Sequence, residues 1–143
     1  MSKPFNVRVY ALLEHEGKLM MIHEPFQNQL IYKFPGGGLE FGEGTRECLV
    51  REFKEELNLE VEVGEHFYTQ DFFIQNAFDP SEQILMIYYL AKTTNVALEK
   101  LKIIDQDIKE VMWLNPAELA AEQMTLATDK IVIELYKKKN FES

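Results

Sequence analysis

An α/β fold, with a mixed β-sheet held between helices, is what the order of elements in this chain predicts. Three observations carry it. Apolar strand patterns open the chain, one amphipathic helix stands in the middle, and further strands are followed by a terminal helix. The run Ile84-Leu85-Met86-Ile87-Tyr88-Tyr89-Leu90 is nearly all apolar, as a central strand covered on both faces should be. A length of 143 residues with 46% apolar residues suits a single domain, 1–143, with a substantial core.

The elements follow in order. Residues 7–13 read as a strand, Glu14-His15-Glu16-Gly17-Lys18 as a hairpin turn, and residues 19–23 as the returning strand. A third strand, 30–34, runs into Pro35 and the glycine turn Gly36-Gly37-Gly38. Thr45 is the expected N-cap of a helix ending at Leu57, since its hydroxyl can accept a free first-turn amide. Leu49, Val50, Phe53 and Leu57 form its apolar stripe. Residues 60–63 and 67–74 are expected as a strand pair broken near Gly64, and 84–91 as the central strand. Glu110–Leu114 is a short final strand. Asn115-Pro116-Ala117-Glu118 carries the signals of a helix start, with Asn as cap and Pro at the first helical position. The last helix runs from Thr125 or Thr128 to Lys139, with Ile131/Leu135 and Val132/Tyr136 as apolar pairs. Lys137, Lys138 and Lys139 suit the dipole of its final turn.

Composition narrows the work such a domain does. A net charge of −9 argues against non-specific binding of nucleic acid. No segment approaches the roughly 18 apolar residues of a membrane span, and the N-terminus lacks a signal-peptide core. Cys48, the only cysteine, lies on the apolar side of the middle helix and reads as a buried thiol. Cytoplasm is the default location.

The middle helix carries the chemistry. Glu52, Glu55 and Glu56 stand at i, i+3 and i+4, where like charges repel by roughly 0.2–0.5 kcal/mol per pair. Arg51 is placed to pair with Glu47 and Glu55, whereas Glu52 and Glu56 have no helical cation three or four residues away. A solvated acidic face is the plain reading. The glycines just upstream favour the other one, a divalent-cation site against a diphosphate. Hard cations take carboxylate and carbonyl oxygens, and glycine lets backbone approach a ligand.

Gly37, five residues, Glu43, seven residues, then Arg51-Glu52-Phe53-Lys54-Glu55-Glu56-Leu57-Asn58-Leu59 resembles the Nudix box of the Nudix hydrolase family. The box covers Gly37 to Leu59, and one fixed position departs: Asn58 stands where the family has glycine. Asn is the next most tolerant residue for the left-handed helix end that glycine serves. The resemblance implies an α/β/α sandwich and Mg2+-dependent hydrolysis, with Mn2+ as a substitute, of a nucleoside diphosphate linked to another group X. By resemblance the metal ligands would be Glu52, Glu55, Glu56 and the carbonyl of Gly36. Glu52 would be a further ligand or the base, Arg51 would hold a catalytic carboxylate, and Glu43 would support the site. The partner implied is a small nucleotide or nucleotide-like diphosphate, not a nucleic-acid polymer or a membrane. A non-catalytic nucleotide sensor on the same fold is the alternative, weighed against by the complete set Arg51, Glu52, Glu55 and Glu56.

Substrate marks are absent. Ile74 and Gln75 stand where ADP-ribose hydrolases of the family have proline, and Asn76 where diadenosine-polyphosphate hydrolases have tyrosine. The stretch 68–81, with Phe72, Phe73, Asn76, Phe78 and Asp79, suits core packing or a homodimer contact better than stacking on a substrate ring. Asp105, Asp107 and Glu110 are candidates for an extra ligand or base, each singly better read as a solvated carboxylate. Trp113 reads as core, and His15, His23 and His66 as surface or strand residues without ligand spacing.

Overall fold

The computed structural model describes residues 4–26, 29–121 and 124–141. Its strands are β1 (Phe5–His15), β2 (Lys18–Phe26), β3 (Gln29–Lys33), β4 (Gly36–Gly38), β5 (Glu62–Thr69), β6 (Gln83–Lys92) and β7 (Glu110–Leu114). Its helices are α1 (Thr45–Leu57), α2 (Asn95–Glu99) and α3 (Ala127–Phe141). The seven strands form one mixed sheet in the order β3-β2-β1-β6-β5, with β4 beside β1 and β7 beside β2. Only β1 and β6 run parallel, from Phe5 opposite Gln83 to Glu14 opposite Lys92.

Period-two alternation along β1 divides the core between two faces. Val9, Ala11 and Leu13 pack with Cys48, Leu49, Phe53 and Leu57 of α1. Tyr10 and Leu12 pack on the other face with Val132, Ile133 and Tyr136 of α3. Burial on both faces is why the strand reads as almost unbroken apolar sequence. The expected α/β/α arrangement is therefore the observed one.

Local expectations fare unevenly. The β1–β2 turn has Glu16 at φ 52° and Gly17 at φ 78°, the left-handed pair that a two-residue hairpin favours. Gly36–Gly38 is a short strand, not a turn: it pairs with Arg8–Tyr10, because residues without side chains let it lie close against β1. The expected strand pair after the box is one strand, β5, kept continuous by register shifts against β6 near Gly64. The helix start at Asn115 is a single turn, in which Asn115 Oδ1 accepts the Ala117 N–H, with no regular helix following among the described residues. On α3, Val132 and Tyr136 face the core with Ile133, while Leu135 points outward. Phe72, Phe73 and Phe78 are exposed, so core packing does not account for them, whereas Tyr68 and Ile74 of the same stretch pack against the α3-side core. Trp113 is half-buried against the α1-side core.

A carboxylate site between strand β4 and helix α1

The site is built from two elements pressed together. Gly36 has φ 153°, and a Cβ there would sit 2.1 Å from the Val9 carbonyl oxygen. A Cβ on Gly37 would lie 2.4 Å from the Glu52 carboxyl carbon. The glycines thus admit the strand to β1 on one side and the Glu52 side chain on the other. Helix α1 begins at Thr45 as expected, but its N-cap is Gly44. The Thr45 hydroxyl instead bonds Tyr89 Oη at 2.7 Å, and the Gly44 N–H donates to Glu47 Oε1 at 3.0 Å.

Arg51 is the hub. Its Nε and Nη2 grip Glu43 at 2.9 and 2.7 Å, its Nη2 also reaches the Gly38 carbonyl at 3.0 Å, and its Nη1 donates to Glu52 at 2.9 Å and Glu55 at 3.1 Å. The expectation that Glu52 lacks a cation is therefore corrected. Adjacent helical residues do not face each other, but Arg51 folds back over β4, where Glu52 also points. Glu47 is turned away to cap the helix and does not pair with Arg51. The Arg51 bonds, with the Glu40 N–H, hold the Glu43 carboxyl down at about 2. Bonding to Glu43 raises the Arg51 pKa in turn.

Glu56 differs from its neighbours. Burial, a hydrogen bond to Glu52 and the charges of Glu52 and Asp105 push it up to about 9, with Lys33 opposing. Asp105 reaches it because the loop before β7 closes the C-terminal end of α1: Ile104 N–H and Asp105 N–H both donate to the Glu56 carbonyl, at 2.8 and 3.2 Å. Asp107 bonds back to Asp105, and Glu110 lies opposite His23 in β7. Of the three loop acids, the structure thus brings Asp105 to the box.

Burial and the Glu43 and Glu52 charges push the Cys48 thiol up to about 12, which leaves it no nucleophilic form at neutral pH. His15 bonds Asn95, His23 stacks on Tyr32, and His66 bonds Thr69. At the end of the helix, Asn58 takes φ 48° and ψ 41°, the left-handed conformation expected of it.

Among the described residues, no three His, Cys, Asp or Glu side chains stand together as a formed metal cage. Glu52 and Glu56 share one place, while Glu55 is drawn off to Arg51. The donor chemistry nonetheless fits a hard cation. The oxygens are carboxylates, and two of them are close enough to hold a proton between them where a cation would relieve the repulsion.

Several groups of this region escape a reading of spacing. Arg8 bonds Tyr10 within β1, Lys33 pairs with Glu24, and Tyr88 donates to Asp129. The available signal is a charge inside an apolar run, as with Arg8 in β1 and Lys33 at the end of β3.

Comparisons with known proteins agree with this geometry. A family model described as NUDIX domain matches residues 3–135. The CTP pyrophosphohydrolase of Escherichia coli (strain K12) is 40% identical over 60 residues, which are 41% of this chain and 44% of that protein. The match thus spans less than half the length of that curated relative. The solution structure of the E. coli ORF135 protein superposes with TM-score 0.72 at 26% identity, covering 95% of this chain and 91% of that one. A MutT NUDIX hydrolase from Burkholderia pseudomallei gives TM-score 0.74 at 20% identity, covering 93% and 98%, and at that identity supports the fold alone.

Proposed function

This chain belongs to the NUDIX family, and from that premise we propose that it is a Mg2+-dependent pyrophosphohydrolase acting on a nucleoside diphosphate linked to another group X. The observation that carries the reading is the Glu52–Glu56 pair beside Gly37. These carboxylates are close enough to repel, half-buried, and set against backbone whose missing side chain admits Glu52. Nucleoside triphosphates are the first substrates to test, since the partial relative is a CTP pyrophosphohydrolase.

Nudix hydrolases generally use divalent metal ions. In this chain Glu52, Glu55, Glu56 and the Gly36 carbonyl would hold the ion. Bound there, a divalent cation would neutralise phosphoryl charge and lower the pKa of the attacking water. Glu52 lies against Gly37 of β4, and as a general base it would take the proton of the attacking water. Arg51 is a positioning residue: its hydrogen bonds tie Glu43, Glu52, Glu55 and Gly38 into one frame. Glu43, held ionised, anchors that frame to the loop. Engagement of an ion by Glu55 requires that carboxylate to leave Arg51, which its exposure permits.

The test is a hydrolysis screen over nucleoside triphosphates, nucleotide sugars, dinucleotides and coenzyme A, with Mg2+ or Mn2+. The expected result is release of a nucleoside monophosphate or a phosphorylated X, lost on chelation. Mg2+ should also raise the melting temperature by mass action. Tight binding of a nucleotide without turnover would replace this reading with the sensor.

A further inference from the structure

Gly38 has an arginine on each side, and the two differ in what they have left to give. Every nitrogen of Arg51 is bonded within the carboxylate frame. Arg8, paired across from Gly38 in the β1–β4 register, donates one hydrogen bond among the described residues, from Nε to Tyr10 Oη at 2.7 Å. It makes no ion pair among them, although the charges of Glu52 and Glu24 act on it. The nearby cation Lys33 is already held by Glu24 at 2.5 Å.

Tyr10 sets where Arg8 points. Its ring is buried between β1 and α3, and its hydroxyl occupies the inner edge of the guanidinium. The outer edge, Nη1 and Nη2, has no hydrogen-bond partner among the described residues and is not fully enclosed, although Arg8 is partly buried and burial is the largest influence on it. Nη1 lies 3.5 Å from where a Cβ on Gly38 would stand, an ordinary contact distance, so Gly38 borders the fork. A planar fork with fixed orientation matches two oxygens of one phosphoryl group, which a point charge does not.

Resting on the hydrolase reading, we propose that Arg8, oriented by Tyr10, is a substrate-binding residue that grips a phosphoryl group of the diphosphate beside Glu52. Arg51 cannot serve this role, because taking up a phosphate would dismantle the frame that holds Glu43 and Glu52. Arg8 can, because no other described residue hydrogen-bonds its fork. It supplies positive charge to a polyanion entering a chain of net charge −9.

The experiment compares wild type, Arg8→Gln, Arg8→Lys and Tyr10→Phe. Binding of the Mg2+ complex of imidodiphosphate is read by calorimetry, and hydrolysis of the best substrate by kcat and KM. Circular dichroism and melting curves establish that each variant is folded. Loss of a charge-assisted pair should weaken imidodiphosphate binding by about 10–100-fold in Arg8→Gln. Arg8→Lys should recover part of that loss, and Tyr10→Phe should show a smaller loss, mainly in KM. Arg8→Gln binding as wild type does, or Arg8→Lys matching wild type fully, overturns the inference; the second result would make Arg8 a simple counter-charge to Glu52. If Arg8→Gln does not fold, the lysine and phenylalanine variants decide by the same readouts. Weakened binding in a protein that hydrolyses nothing would sink the hydrolase reading and leave the phosphate grip standing. Unchanged binding in an active enzyme would do the reverse, and a wild type that fails to bind the probe overturns the inference about Arg8.

Discussion

The two faces of the sheet treat a carboxylate in opposite ways. On the α1 face, Glu56 is half-buried and its pKa is raised by burial together with the nearby charges of Glu52 and Asp105. On the α3 face, Asp129 is 1% exposed and is pushed up to about 6, by burial first, with Tyr88 and Lys33 pulling the other way. Tyr88 donates to one of its oxygens at 2.5 Å, and the other has no hydrogen-bond partner among the described residues. The difference lies in what could relieve each group. A cation at the open end of α1 would remove the repulsion on Glu56, whereas Asp129 stays a solvation problem for as long as α3 covers it.

The largest effect expected is on the open face. Glu56→Gln should lower kcat by about 10²–10³-fold or more. Its melting temperature should hold or rise, because one member of a repelling pair is gone. Steady-state hydrolysis with Mg2+ checks this, and unchanged activity would remove Glu56 from the metal site. Gly37→Ala comes next, since the new Cβ would meet Glu52 at 2.4 Å. Displacing that carboxylate by about 1 Å should cost on the order of 10²-fold in kcat, with about 1–3 kcal/mol of overpacking. Wild-type kcat in a folded Gly37→Ala protein would show that Glu52 need not sit against β4.

The buried face should answer to pH. The Asp129 carboxyl is raised in the folded state to about 6 from 3.8, so folded protein binds a proton that unfolded protein has released across that interval. Its favourable contribution is complete below about pH 4 and is lost as pH rises through about 6. Urea unfolding of wild type and Asp129→Asn from pH 4 to pH 8 should show their difference shift by up to about 3 kcal/mol, then level off. Parallel curves would mean that Asp129 is solvated in solution. The smallest effect is at the helix end. Asn58→Gly relieves a left-handed side-chain residue but loses the Asn58 Nδ2 bond to the Lys100 carbonyl at 3.0 Å. The two changes oppose each other at about 1 kcal/mol each, so urea unfolding should find the variant within about 0.5 kcal/mol of wild type.

The candidate site was legible in part, and the gaps have definite causes. Residues 45–57 and 110–114 fall where spacing put them, because an apolar period and its boundary residues are local properties. Asn58 likewise took the left-handed conformation its type permits. Helical spacing misjudged Glu52, because Arg51 reaches it by folding over β4 rather than along the helix. Thr45 forfeited its capping role to a bond with Tyr89 of β6, a partner 44 residues away. The Asn115 segment carried every local helix-start signal and stopped after one turn. The short helix α2 went unread because five residues hold too little periodicity to register.

By itself, then, the sequence determined the fold class, the carboxylate column on α1 and the NUDIX resemblance, since these depend on residue types at fixed intervals along one chain. Only the tertiary structure decided which charges meet. Packing β4 between β1 and α1 gave Glu52 its cation and its place, and closing the loop before β7 onto α1 brought Asp105 to Glu56. The same packing left the fork of Arg8, beside Gly38, without a hydrogen-bond partner among the described residues. Charge interactions depend on distance and burial, and neither is a property of spacing along the chain.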